Sequence, residues 1–296
     1  MNGILLLDKP LGVSSNQALQ RVRRLLGADK AGHIGSLDPL ASGMLPICLG
    51  EATKIAGDIL AGRKRYEFTV KLGERTATGD VEGPVVETAG VPSLPRGEIE
   101  AVLARFTGPQ SQVPPMYSAI KQDGQPLYKL ARAGREVPRA ARAIEIFELR
   151  LAALEGCSVA FETFCSKGTY IRVLAEDLAR ALGTCGHVTR LRRAYVEPFE
   201  DEPMQTLEAV ERNPRILPAD RGVGHLPAVH LGDGEAARVM QGQAVAGAAQ
   251  GRVRLYDGAG GFFGIGEGRE GLIHPRRLWA TGSAGRIARL EKGSKD

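Results

Sequence analysis

At 296 residues the chain is long enough for two domains, or for one large domain with an appendage. An apolar fraction of 43% and a charged fraction of 25% are ordinary for a soluble globular protein, and the net charge of +5 leans towards an anionic partner. The apolar run at residues 4–7 is too short for a signal-peptide core or a membrane span, nothing later supplies about 18 uninterrupted apolar residues, and the four cysteines show neither CxxC nor metal-site spacing. Those cysteines read as small core residues of a cytosolic protein without a structural metal.

Residues 4–7 predict a short buried strand closed by the turn Asp8-Lys9-Pro10. Ser14 and Gln17 form a capping box, and Ala18, Val22 and Leu25 follow at helical spacing, with Arg21, Arg23 and Arg24 on or beside the polar side. The stretch 32-GHIGSLDPLASG-43 then gathers glycines and a proline around one acid, Asp38. Glycine admits positive φ, and Pro39 biases Asp38 towards an extended conformation. Such a loop is either a rigid frame presenting one side chain or a tight turn in which Asp38 only hydrogen-bonds its own backbone. A helix is predicted over 51–60.

In 65-RYEFTVKLG-73, Tyr66, Phe68, Val70 and Leu72 alternate with Glu67, Thr69 and Lys71, the pattern of a half-buried strand whose inward row begins at Tyr66. A loop rich in Gly, Pro and Thr leads to a helix over about 96–106. Residues 114–143 read as an inserted basic arm: Lys121, Lys129, Arg132, Arg135, Arg139 and Arg142 are opposed only by Asp123 and Glu136. This is a solvated, flexible arm or a phosphate-contacting one. Strand patterns return over 144–151 and 159–165. In 167-KGTYIRVLAEDLARALG-183, Ile171, Leu174, Ala175, Leu178 and Leu182 make a buried helical stripe stopped by Gly183. Arg172 lies off that stripe at a helix N-terminus, where the dipole does not favour a cation, so it calls for a carboxylate partner. After the acidic linker 200–202 the texture changes near 220–226, and short apolar alternations (Val253, Leu255; Phe262, Phe263, Ile265) between glycine-dense turns predict a small β-rich domain.

A single carboxylate argues against an ordinary glycosidase, which uses two. It also argues against carboxylate-based metal catalysis, because only His33 accompanies Asp38 and the pair fits no metal-site spacing. What remains is nucleophilic catalysis by an ionised carboxylate held by a cation, with Arg172 the best-placed cation.

The ordered segments 5-LLLDKPLGVSSNQAL-19, 32-GHIGSLDPLASGMLPICLGEATK-54, 64-KRYEFTVKLG-73, 115-PMYSAIK-121, 167-KGTYIRVLAEDLA-179 and 187-HVTRLRR-193 resemble the motifs of bacterial tRNA pseudouridine-55 synthases, the TruB family of pseudouridine synthases. The likeness runs from about residue 3 to 199 and continues more weakly over the C-terminal part. Ser36 stands where threonine is frequent and Glu197 near a position that is often glycine. The resemblance implies an isomerase that breaks the uracil N1–ribose C1′ bond of a T-loop uridine, turns the base and rejoins it through C5, with no cofactor and no metal. It implies that Asp38 is the nucleophile, that Tyr66 stacks on the target base, and that Tyr170, Leu191 and Arg172 line the pocket, Arg172 paired to Asp38. By the same likeness His33 helps hold the flipped T-loop, and Lys9 and Pro10 are scaffolding.

The implied fold is α+β, with a mixed, mainly antiparallel sheet flanked by helices over 1–222, a PUA-like RNA-binding domain over 226–285 and a flexible tail over 286–296. The implied partner is the T-arm of tRNA, bound by a cytoplasmic monomer without membrane or protein partner, which also assists tRNA folding. Two other readings stand beside this one: a non-catalytic RNA-binding or RNA-folding protein using the same surface, and a pseudouridine synthase of another class acting on ribosomal RNA.

Overall fold

The apolar N-terminal run forms β1 (Gly3–Lys9), buried along nearly its whole length, in a computed structural model that describes residues 1–279. Helix α1 (Ser15–Leu25) starts at the predicted capping box: Ser14 Oγ accepts from the Gln17 backbone at 3.2 Å and the Gln17 side chain accepts from the Ser14 backbone at 2.8 Å. Strands β2 (Ala31–His33) and β3 (Ala41–Leu49) frame the glycine loop. The helix predicted over 51–60 forms in two parts, a 3-10 turn at Gly50–Ile55 and then α2 (Ala56–Leu60).

Strand β4 (Lys64–Leu72) keeps the predicted alternation, with Tyr66, Phe68, Val70 and Leu72 buried. The segment expected to be a loop contains a small ribbon, β5 (Glu74–Thr76) with β6 (Val85–Thr88), ahead of α3 (Arg96–Arg105) and β7 (Gly108–Gln112). The basic insertion folds as a hairpin, β8 (Lys121–Gln122) with β9 (Gln125–Pro126), followed by α4 (Leu127–Arg132). Leu127 and Leu130 of α4, an apolar pair one helical turn apart, are buried, so the segment is not solvated along its whole length.

Strands β10 (Arg142–Glu155) and β11 (Ser158–Cys165), helix α5 (Ile171–Ala181) and strand β12 (Gly186–Val196) complete the larger unit. Its eight strands run in the order β1-β3-β12-β4-β11-β10-β7, with β2 on the edge of β3. Only β12 and β3 pair in parallel, which makes the sheet mixed and mainly antiparallel, as expected. The buried row of β4 and the apolar faces of α1, α3 and α5 form one core. Three cysteines are buried as expected, whereas Cys157, in the turn between β10 and β11, is exposed.

Helix α6 (Leu207–Arg212) and a 3-10 turn at Ala219–Val223 lead to the second sheet. It comprises β13 (Ala228–His230), β14 (Val245–Ala246), β15 (Gly251–Tyr256), β16 (Phe262–Arg269) and β17 (Leu272–Leu278), with α7 (Asp233–Met240) packed on it. Its core holds Val253, Leu255, Phe263 and Ile273, while Ile265 and Trp279 belong to a cluster shared with Ile4, Ile55, Ile59 and Val223. Lys54 Nζ donates to the Leu278 carbonyl at 2.6 Å, Tyr256 Oη donates to Asp220 at 2.7 Å, and Arg252 pairs with Asp58 along the same seam. The end of the expected second domain, 280–285, and the expected tail, 286–296, lie outside the described residues. No described helix is long and apolar enough to cross a membrane.

Candidate active site

The glycine loop is held as a rigid frame. Ser15 Oγ donates to the Leu37 carbonyl at 2.9 Å and accepts from the Leu37 amide at 2.7 Å, and Gly12 donates to the Pro39 carbonyl at 2.9 Å. Gly43 has φ +101, and a Cβ there would stand 2.3 Å from the Arg193 carbonyl oxygen, so only glycine lets β3 lie against β12 at this register. The Asp38 carbonyl closes the turn by accepting from Ala41 at 3.0 Å. That leaves the carboxylate free to reach out of the loop, and Oδ2 meets Arg172 Nε at 3.0 Å.

Arg172, in the first turn of α5 and only 5% exposed, therefore has the carboxylate partner its position demanded. It also has more. Nη1 donates to the Thr78 carbonyl at 2.8 Å and Nη2 to the Tyr117 carbonyl at 2.7 Å, while Asp80 Oδ2 lies 3.6 Å from Nε. The premise of a solitary carboxylate is thus corrected: buried Asp80 shares Arg172 with Asp38. Asp80 is itself fixed by Thr78 Oγ1, which donates at 2.6 Å, and by the Glu82 amide at 3.0 Å. The Thr78-Gly79-Asp80 turn is tight: Gly79 has φ +76, and a Cβ there would crowd Glu176 and Arg172.

Asp38 forms part of the wall of a cavity of about 580 Å³, lined also by Tyr66, Tyr170, Arg172 and Leu191. The fold thus brings these five predicted residues together from a loop, two strands and the start of a helix. Register explains Tyr66 and Leu191: on β4 and β12, Leu191 lies opposite Phe68 and Arg193 opposite Tyr66. Tyr170 is anchored through its backbone, its amide donating to Gln112 Oε1 at 2.8 Å and its carbonyl accepting from Gln112 Nε2 at 3.1 Å.

His33 is not among the residues lining the cavity. It sits on β2 opposite Ile47, its Nδ1 shielded and without a hydrogen-bond partner, and burial followed by the charge of Arg193 makes it harder to protonate. Among the basic residues of the insertion, Arg142 lines the cavity, Arg139 bonds Pro114 and Glu136, and Arg132 lies over the Tyr128 ring. Lys121, Lys129, Arg132 and Arg135 are exposed.

Three further cations, Lys64, Lys167 and Arg193, line the cavity, and sequence reasoning passed over them as site residues. Arg193, 1% exposed, donates to the Met44 carbonyl at 2.7 Å and the Gly35 carbonyl at 2.8 Å, tying the glycine loop to β12. Its place two residues after Leu191 on a strand puts both on one face, which the 187-HVTRLRR-193 alternation could have revealed. Lys64 donates to the Leu60 and Gly62 carbonyls, and burial lowers its pKa to about 8.

Burial pushes the Asp38 carboxyl above the usual carboxylate range; Arg172 and Lys9 oppose the shift and Asp80 reinforces it. The side chain keeps 40% of its surface open, so water in the cavity mouth moderates that rise. Burial also raises the Tyr66 phenol, which stays neutral, and lowers Lys9 to about 8, with Asp38 opposing.

Residues 23–171 match the model of the TruB family pseudouridylate synthase (N terminal domain). Residues 172–220 match the tRNA pseudouridylate synthase B C-terminal domain, and residues 227–279 the pseudouridine synthase II TruB, C-terminal. The chain belongs to the TruB family.

Curated relatives of this TruB chain, each called tRNA pseudouridine synthase B, extend over nearly its whole length. That of Chromohalobacter salexigens is 49% identical over 96% of each chain, and that of Nitrosococcus oceani 50% over 94% of each. That of Burkholderia mallei is 47% identical over 96% of this chain and 98% of its own. Among solved structures, a chain of a Cbf5–Nop10–Gar1 complex superimposes with a TM-score of 0.68 at 28% identity, covering 90% of this chain and 78% of that one. A chain of an H/ACA RNP bound to a substrate RNA containing 2′-deoxyuridine shares the fold, with a TM-score of 0.69 at 24% identity over 94% and 84% of the two chains.

Proposed function

We propose that Asp38 is the nucleophile with which this TruB enzyme isomerises uridine 55, in the T-loop of tRNA, to pseudouridine. The observation that carries the reading is the 3.0 Å pair between Asp38 and Arg172 on the wall of a cavity that Tyr66 and Leu191 also line. A carboxylate nucleophile must be ionised where the substrate displaces water, and a buried guanidinium beside it does that work. The closeness of Tyr66 and Leu191 supports a slot for a flat base.

A uridine stacked within folded RNA has to be everted before a side chain can reach C1′ or C5, at a cost of a few kcal/mol. Stacking on an aromatic ring returns about 1–3 kcal/mol per base, which suits Tyr66. Asp38 then acts beside the glycosidic bond: N1–C1′ breaks, the base turns, C5–C1′ forms, and the proton on C5 leaves. Arg172 holds the Asp38 carboxylate and opposes its protonation, and Asp80 positions Arg172. Tyr170 and Leu191 shape the slot, and His33, outside it, contacts the rearranged T-loop. Lys121, Lys129, Arg132 and Arg135 supply phosphate contacts, which give affinity without base specificity.

The same reading divides the chain into a catalytic domain over 1–222, with the basic segment 114–143 inserted, and a PUA-like RNA-binding domain from 226. It places a monomer in the cytoplasm and lets the RNA-gripping surface assist tRNA folding as well. Mapping pseudouridine in total RNA after incubation with the enzyme tests the substrate assignment. The expected result is modification at tRNA position 55; modification confined to ribosomal RNA would contradict it.

A further inference from the structure

Five cations, Lys64, Arg142, Lys167, Arg172 and Arg193, line the catalytic cavity with one acid, Asp38. Arg172 is committed to Asp38 and Asp80, and Arg142 and Lys167 are exposed. Lys64 is buried, but burial already lowers its pKa to about 8, so it sheds its charge readily. A guanidinium has no such escape. Arg193 is 1% exposed, and among the described residues no carboxylate pairs with it. Its Nε donates to the Met44 carbonyl at 2.7 Å and its Nη2 to the Gly35 carbonyl at 2.8 Å. Nη1 takes part in neither bond and lies against Gly35, where a Cβ would stand 3.2 Å away. A buried charge without an opposite charge is unfavourable, so the missing anion is expected to come with the ligand.

The isomerisation supplies such an anion. When N1–C1′ breaks, its electron pair stays with the base and Asp38 bonds C1′. The uracil anion so formed spreads its charge over O2 and O4. Turning the ring about the line through N3 and C6 exchanges N1 with C5 and O2 with O4. One fixed donor therefore meets a carbonyl oxygen both before and after the turn. C5 then bonds C1′, Asp38 is released and the proton on C5 leaves. Arg193 stands where this donor is needed, opposite Tyr66 across β4 and β12 and two residues from Leu191 on one face.

We propose that Arg193 is a catalytic residue, its guanidinium donating to a carbonyl oxygen of the departing uracil and balancing the negative charge that forms there. The inference rests on the reading that this cavity isomerises uridine.

The test compares Arg193→Gln with Arg193→Lys, which both lose the fork that clamps Met44 and Gly35 but differ in charge. Single-turnover cleavage of N1–C1′ is read on T-arm stem-loops carrying uridine or 5-fluorouridine at the target position. Fluorine makes the base a better leaving group and stays on C5, so loss of the N-linked nucleoside reports bond breaking. Arg193→Gln should be slowed about a hundredfold on uridine but only about tenfold on 5-fluorouridine, the scale of one lost donor to developing charge. Arg193→Lys should keep the wild-type ratio between the two RNAs. Equal slowing of both variants on both RNAs would make Arg193 a clamp only and overturn the proposal. Should either variant fail to fold, wild type alone decides. A stem-loop with a C-linked barbiturate, an anion, should bind it about tenfold tighter than one with neutral pseudouridine, and a difference below twofold overturns the proposal. Wild type that forms no pseudouridine on the uridine stem-loop would count against the isomerase reading, while the barbiturate preference still reports on the charge of the cavity.

Discussion

Asp38, Arg172 and Asp80 form a chain of alternating charge, and its electrostatics have a definite sign. Burial and Asp80 raise the Asp38 carboxyl, while Arg172 lowers it. The ionised form is the nucleophile, so single-turnover rates should fall with decreasing pH at a higher pH than an ordinary carboxylate would give. Asp80→Asn removes a negative charge, lowers the Asp38 pKa and should move that acid limb to lower pH, besides slowing the reaction by loosening Arg172. A limb that stays put or moves upwards would show that Asp80 does not act on Asp38. The Asp38–Arg172 pair was legible because a cation off the apolar stripe at a helix start needs a carboxylate. Asp80 was not, because its proximity comes from the β5–β6 ribbon folding back on α5, which no local pattern encodes. Arg193 was within reach through strand alternation from Leu191, which the family resemblance had marked as pocket-lining.

Among the elements, α1 and β4 could be read almost to the residue, since a capping box and strict alternation are local signals. The basic insertion could not: Leu127 and Leu130 are its only deeply buried leucines and are easily lost among the charges around them. Lys129, Arg132 and Arg135 are exposed, so replacing all three with Gln should flatten the salt dependence of tRNA binding by about one unit of slope per lost phosphate contact. An unchanged slope would make these charges simply solvated. The glycine loop makes an equally local demand. Gly43→Ala would require a positive φ from alanine and push its Cβ into the Arg193 carbonyl, and strain of this kind costs about 1–3 kcal/mol. The expected result is a thermal midpoint lower by a few degrees together with slower turnover; an unchanged midpoint would mean that β3 and β12 separate freely.

For the molecule as a whole, the parallel contact between β3 and β12 joins segments far apart in sequence and fixes the Asp38 loop beside Leu191 and Arg193. The change of texture near 220–226 was visible in composition, but the seam between the sheets was not, because Ile265 reads as part of a local alternation while it packs, with Trp279, against Ile4, Ile59 and Val223. Removing residues 227–296 would strip part of that cluster from β1. The truncated chain should therefore unfold at a lower temperature, and the full chain should melt in one cooperative transition by calorimetry. Two well-separated transitions would show the sheets to be energetically independent.

The central claim is that one carboxylate does the chemistry, and tritium release from tRNA labelled at uridine C5 tests it most directly, with wild type and Asp38→Asn side by side. The expected outcome is one equivalent released per tRNA by wild type and none by Asp38→Asn, with tRNA affinity unchanged within about twofold, since the amide keeps the shape but is a poor nucleophile. Release by Asp38→Asn at a rate near that of wild type would contradict the assignment of Asp38 and with it the account of the site.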